Sequence, residues 1–231
     1  MDKLNKRILI VAAHPDDEVL GCGGTIARLA KNGFDVYISI LGEGITSRYN
    51  QREAADPELV KDLHESSQCV SKMLGAKDLF LYSLPDNRFD TVPFLDIVKI
   101  IEGLIEKVKP SVIYTHYGGD LNIDHQITSR AVLTSTRPVK NHPVKEIYTF
   151  EVPSSTEWAF GQYQGGFNPA VFVDVSKTLD IKIKAMEIYD SEMKSFPHPR
   201  SSKALNALAQ YRGSNVGLEA AEGFGIVRKI E

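Results

Sequence analysis

Short, continuously apolar runs alternate along this chain with amphipathic segments, and that alternation restricts the fold more than any other feature. Ile8-Leu9-Ile10-Val11-Ala12-Ala13 has no polar face, as expected of a strand buried on both sides in a parallel sheet. Over 19–31 the residues Leu20, Ile26, Ala27, Leu29 and Ala30 fall at mostly helical spacing, and Gly33 stands where a helix C-terminal glycine belongs. Residues 36–41 form the next strand, which closes a βαβ unit. The same rhythm predicts helices over 59–74, 94–108 and 127–136 and strands over 79–82, 112–114, 147–152 and 171–175. Ser176 reads as the cap of a helix running to about Lys194, and a last helical stretch follows Ser201. No repeat, low-complexity tract or linker interrupts the pattern. The expected architecture is one domain over 1–231, a three-layer α/β sandwich with a mostly parallel, Rossmann-like sheet.

Charge and composition exclude several classes of function. Lys plus Arg number 27 and Asp plus Glu 30, a net charge of −3, so there is no basic excess of the kind nucleic acid demands. Cys22 and Cys69 are too few for a disulfide scaffold and are not spaced as a CxxC pair. Residues 1–7 lack the long apolar stretch of a secretory signal, and no run approaches the ~18 apolar residues of a membrane helix. A soluble, cytoplasmic protein without a membrane span is expected.

Ligands of such sheets bind outside the carboxyl ends of the strands. The loops leaving the strands hold His14-Pro15-Asp16-Asp17-Glu18, Gly42-Glu43-Gly44, Pro85-Asp86-Asn87-Arg88 and the segment from His116 to His125, while the opposite turns carry little that ionises. The acids after His14 admit a bland reading, a solvated helix start favoured by the helix dipole. Their spacing admits another. His14 and Asp17 are three residues apart, so one turn can aim both at a common point while Asp16 projects elsewhere. Imidazole and carboxylate are ordinary zinc ligands, but a catalytic zinc usually takes a third. His125, a surface histidine if judged alone, sits after another buried strand with Asp124 beside it and is the best third ligand. Asp16 is then free to act as general base on a metal-activated water.

Ala-His-Pro-Asp-Asp-Glu after the first strand, with Asp-His after a later one, resembles the PIG-L/LmbE-like family of zinc-dependent N-deacetylases. Residues 19–24, Gly42-Glu43-Gly44, Leu84-Pro85-Asp86-Asn87 and the tail over 212–224 extend the resemblance across essentially the whole chain. The resemblance implies hydrolysis of an acetamido group on a small amino sugar or its conjugate. It places His14, Asp17 and His125 as metal ligands, Asp16 as general base, Asp124 as a supporting acid beside the second histidine, and Asp86 against the sugar. Zinc is the default ion, although two nitrogens and a carboxylate also hold Fe(II) or another divalent metal. One departure stands out. Where several members carry His-Pro-Asp-His, this chain has Asn122-Ile123-Asp124-His125. Asn122 can donate to a developing oxyanion, a contact worth roughly 2.7–4 kcal/mol, but it is no acid. Protonation of the leaving amine then falls to Asp16 or to a histidine elsewhere.

Sugar hydroxyls call for polar groups from the neighbouring loops, namely Asp86, Asn87, Arg88 and Arg48. His198, between Pro197 and Pro199, belongs either to an exposed loop or to a lid over the site. His116 either lines the pocket or sits behind it. Trp158, Phe160, Tyr163 and Phe167 suit a sugar ring, a second subunit of a homo-oligomer, or ordinary packing. Two other functions compete with this one. A nucleotide-binding module built on Gly21-Cys22-Gly23-Gly24 fails on placement, because the strand-to-helix turn holds acids that would repel a phosphate. A metal amidase or deformylase acting on another acyl amide keeps the site and changes only the bond.

Overall fold

The computed structural model describes residues 7–231. The expectation that residues 1–7 hold no secretory signal concerns residues that, Arg7 apart, lie outside those described. Five parallel strands form most of one seven-stranded sheet: β1 (Arg7–Ala12), β2 (Asp35–Gly42), β3 (Asp78–Leu84), β4 (Val112–His116) and β5 (Glu146–Phe150). Two more, β6 (Val171–Asp174) and β7 (Ala221–Lys229), complete it with antiparallel pairings, in the order β3-β2-β1-β4-β5-β7-β6. Both faces of the sheet are covered. Ile8, Ile10 and Ala12 of β1 pack with helices α1 (Asp17–Lys31), α2 (Pro57–Leu74), α5 (Leu179–Ile188) and α6 (Ser202–Ser214). The alternate residues Leu9 and Val11 face α3 (Phe94–Val108) and α4 (Ile123–Ser135). This is the three-layer sandwich that the continuous apolar strands require.

Local differences from the sequence expectation have local causes. Helix α4 begins at Ile123 rather than 127, because the Asn122 side chain accepts the Asp124 N–H at 2.8 Å and caps the helix there. Helix α5 is much shorter than 176–194. Its cap is Thr178, Ser176 instead donates to Asp174 at 2.6 Å, and the chain leaves the helix after Ile188. Strand β7 has no counterpart in the expectation. Helix α1 is kinked at Cys22, and the N–H groups of Gly24 and Thr25 freed there donate to the Glu222 carboxylate at 3.0 and 2.7 Å. Lys182 pairs with Glu222 at 2.7 Å and holds it in place. At Gly21 a Cβ would stand 2.2 Å from the Phe150 ring, so the helix reaches the sheet only because this residue lacks one. Among the described residues no helix is long and apolar enough to cross a membrane.

Candidate metal centre

The chain crosses to one side of the sheet from β1 and to the other from β4, and these two strands are neighbours. The crevice at their carboxyl ends is the topological switch point where open α/β sheets bind ligands. The turn leaving β1 carries His14, Asp16 and Asp17. His116 ends β4, and the first turn of α4 carries Asp124 and His125. All six side chains are buried.

Asp17 Oδ2 lies 3.3 Å from His14 Nδ1 and 3.3 Å from His125 Nε2, and one ligand atom from each residue falls within 4.8 Å of the others. Tetrahedral zinc with bonds of roughly 2.0–2.1 Å separates its ligands by roughly 3.3–3.4 Å, so two imidazoles and one carboxylate fit a divalent ion with one position open. The far nitrogens are also held. His14 Nε2 is hydrogen-bonded to Asp124 Oδ2 at 2.9 Å, and His125 Nδ1 faces Asp120 Oδ1 at 3.0 Å. Carboxylates in these places orient ligating imidazoles and raise their basicity. Asp124 therefore supports His14 rather than His125; the acid behind His125 is Asp120, fixed by the hydroxyls of Ser155 and Thr156. Sequence adjacency misleads here, because successive residues of a first helical turn point in different directions.

His14, Asp86 and Asp124 also come together, with Asp86 Oδ1 at 3.4 Å from His14 Nε2. Their carboxylates are engaged by N–H groups, Asp124 by Phe89 and Asp86 by Ser47. The arrangement reads as a cradle around the outer nitrogen of His14.

Burial opposes a charged imidazole at His14, yet Asp124 and Asp17 hold its pKa well above the ordinary value. At His125 burial is likewise outweighed, and Asp17 and Asp120 raise the pKa to about 9. His116 goes the other way, pushed down to about 3 by burial and by His125, and is neutral. Its ring stacks on His125 at 4.0 Å between centroids while its Nε2 accepts the Ala13 N–H at 2.8 Å. It sits behind the ligands and does not line the cavity.

Asp16 is not among the three clustered ligands, although it lines the same cavity. Its backbone has φ 104°, a conformation that costs a non-glycine residue energy and is found where the surroundings impose it. Asp16 Oδ2 accepts from Arg200 Nη1 at 2.7 Å. Burial pushes the Asp16 carboxyl well above the usual range, and Arg200 draws it back. Arg200 also donates to Ser154 Oγ at 2.7 Å and to Glu192 at 3.1 Å, and Glu192 accepts from Arg48 at 2.6 Å. Sequence reasoning passed over Arg200. The only signal was its place after Pro197-His198-Pro199, a loop already suspected of covering the site.

A cavity of about 300 Å³ opens from this centre and is lined by His14, Asp16, Arg48, Asp86, Asn87, Asn122, His125, Trp158, His198 and Arg200, among others. Of the residues expected to meet the sugar, Arg88 is not among them. It is exposed, just ahead of a 3-10 turn at Phe89–Thr91. Asn122 keeps one amide hydrogen for a ligand, since Nδ2 donates to Asn87 Oδ1 at 2.8 Å. The connection after Glu43 is ordered by Arg52, whose guanidinium pairs with Glu43 at 2.6 and 2.7 Å.

The chain is similar to known proteins over most of its length. A family model described as PIG-L, GlcNAc-PI de-N-acetylase, matches residues 9–136, which include His14, Asp16, Asp17, Asp86, His116, Asp120, Asn122, Asp124 and His125 but not residues 154–158 or the loop that carries Arg200. A diacetylchitobiose deacetylase from Thermococcus kodakarensis is 26% identical over 97% of this chain and 84% of its own length. Among solved structures, a diacetylchitobiose deacetylase from Pyrococcus horikoshii superposes with a TM-score of 0.79 at 20% identity, covering 98% of this chain and 85% of that one. A 4-carboxy-2-hydroxymuconate hydratase from Pseudomonas putida superposes with a TM-score of 0.76 at 20% identity over 97% of both chains. At such identities the structural likenesses establish the fold alone.

Proposed function

The chain belongs to the PIG-L family, and from that premise we propose that it is a zinc-dependent N-deacetylase, a hydrolase that removes the acetyl group from an N-acetylglucosamine-type sugar or conjugate within one catalytic domain over 1–231. The hydratase neighbour has the same fold, so the fold does not select the reaction. The observation that carries the reading is the pair of imidazoles and one carboxylate at zinc-ligand spacing, with a second carboxylate, Asp16, lining the same cavity and held by Arg200. Borderline-soft nitrogens and one oxygen favour zinc, with Fe(II) the nearest competitor.

An ion held by His14, Asp17 and His125 would supply Lewis acidity, polarising the amide carbonyl and lowering the pKa of the attacking water. The chain's own groups do the rest. Asp16 takes the water proton, and Arg200 fixes its carboxylate in reach. A carboxyl raised by burial accepts that proton more readily than an exposed one, and it can return the proton to the departing nitrogen. Asn122 offers its remaining amide hydrogen to the oxygen on which negative charge develops. Asp124 and Asp120 keep the two imidazoles aimed inward. Asp86 and Asn87, which line the cavity, accept sugar hydroxyls.

The test combines metal content with acetate release from N-acetylglucosamine and diacetylchitobiose. Wild-type protein should carry near-stoichiometric zinc and release acetate, and His125→Ala should lose both. Asp16→Asn should keep the metal and lose about 10²–10⁴-fold in kcat. Wild-type protein that holds no metal and releases no acetate after zinc is added would overturn the proposal.

A further inference from the structure

An aspartate that opens a helix ordinarily caps it, its carboxylate accepting an N–H of the first turn. Asp16 immediately precedes α1 and makes no such bond. Its φ of 104° lies outside the extended region that capping residues adopt, and its carboxylate meets Arg200 Nη1 at 2.7 Å instead. The general base is thus made from a residue whose local position favours a cap, and an unfavourable backbone of this kind persists only where neighbours hold it. Glu18 is placed to do so. Its Oε2 accepts the Asp16 N–H at 3.1 Å, and its Oε1 accepts the Tyr189 hydroxyl at 2.6 Å. Glu18 and Tyr189 are both buried, each 1% exposed, so a partner lost here is not replaced by bulk water. Tyr189 follows α5, and its carbonyl accepts the Glu192 N–H at 2.9 Å. Glu192 in turn accepts from Arg200 at 3.1 Å. The backbone of Asp16, through Glu18, and its carboxylate, through Arg200, are therefore anchored on one stretch of chain, 189–200.

We infer that Glu18 is a positioning residue for the general base: its carboxyl group, braced by Tyr189, takes the Asp16 N–H and so keeps the Asp16 carboxylate in the cavity and off the end of α1. Without that acceptor the Asp16 backbone relaxes to an extended conformation, and its carboxylate turns to the N–H groups of the first helical turn. The inference rests on the deacetylase reading for the role of Asp16 as base, but not for its conformation.

Two readouts test it, one of which needs no turnover. A crystal structure of zinc-loaded Glu18→Ala should show Asp16 at negative φ, its carboxylate on the first turn of α1 and Arg200 released. In parallel, zinc content, kcat and KM are measured with N-acetylglucosamine and diacetylchitobiose as substrates. Glu18→Ala should lose about 10²-fold in kcat, the cost of a base misplaced by about 1 Å, with zinc content and KM unchanged. Glu18→Gln, whose amide oxygen can still accept the Asp16 N–H, should recover part of that loss. In the Asp16→Asn background Glu18→Ala should cost less than about twofold, because the group it positions is already gone, whereas general damage to the site would multiply the two losses. Should Glu18→Ala fail to fold, Tyr189→Phe removes only the hydroxyl and should lose about fivefold in kcat, again with no further loss beside Asp16→Asn. The inference is overturned if Asp16 keeps its φ and its bond to Arg200 in Glu18→Ala, or if the loss of kcat is equal with and without the Asp16 carboxylate. It is also overturned by a loss of zinc, which would place the effect on Asp17, and, where only Tyr189→Phe folds, by wild-type kcat. Wild-type protein that releases no acetate counts against the deacetylase reading alone, and the crystal structure still decides for or against Glu18.

Discussion

Asp120 and Asp124 never touch the ion position, yet each fixes the plane of an imidazole that does. Removing the carboxylate behind His125 should therefore weaken metal binding without unfolding the protein. Asp120→Asn is expected to cost 10–100-fold in zinc affinity, read by chelator competition. A second consequence concerns pH. His125 has its pKa raised to about 9 and His14 is raised as well, so in the metal-free protein both rings carry an extra proton at neutral pH. An ion binds only the neutral ring, and protons must leave. Zinc affinity should fall as pH drops below about 9, approaching tenfold per pH unit for each proton displaced, and calorimetry in buffers of different ionisation enthalpy should show the release. A flat affinity between pH 6 and 9 would contradict the assignment. At this scale the sequence made much legible. His14, Asp17 and His125 follow from spacing and position, whereas the partners of Asp120 and Asp124 depend on side-chain directions within one helical turn, which spacing does not encode.

Asn122 belongs to the next scale, because it caps α4 with its carbonyl and faces the cavity with its amide. Two substitutions separate these roles. Asn122→Ala loses both and should cost about 1 kcal/mol of stability together with roughly 10²–10³ in kcat. Asn122→Asp keeps the cap, so its denaturation midpoint should stay close to wild type while kcat falls by a similar factor. Equal kcat in wild type and Asn122→Asp would remove the residue from oxyanion stabilisation. The elements themselves were mostly readable. Strands buried on both faces and helices ended by Gly75 or before Pro110 announce themselves locally. Strand β7 does not, because Gly223 and Gly225 interrupt its apolar pattern. Those glycines sit where Pro169 and Thr149 approach so closely that a Cβ would lie 2.9 and 2.6 Å from them. The contacts that demand the glycines are tertiary, so the strand was hidden by its own packing.

Over the whole molecule, the centre is assembled from the two ends of the chain. The ligands come from the parallel half of the sheet, but the group that holds Asp16 arrives 184 residues later, from the loop between α5 and α6. No periodicity predicts that meeting; it depends on α5 and α6 packing on the same face of the sheet as α1. The loop binds several parts of the cavity lining to one another, since Arg200 ties Asp16, Ser154 and Glu192 together and Glu192 accepts from Arg48. If this network serves the base, Arg200→Gln should leave zinc content intact, because none of the ligands touches Arg200. Its kcat should fall by about 10²-fold while KM changes little, as expected when a positioned base is set loose. Arg200→Lys keeps the charge beside Asp16 but cannot also span to Ser154 with a planar fork, so it should recover only part of the rate. A loss confined to KM would mean that Arg200 binds the sugar and leaves the base alone. A loss of zinc would mean that the C-terminal loop supports the ligands themselves.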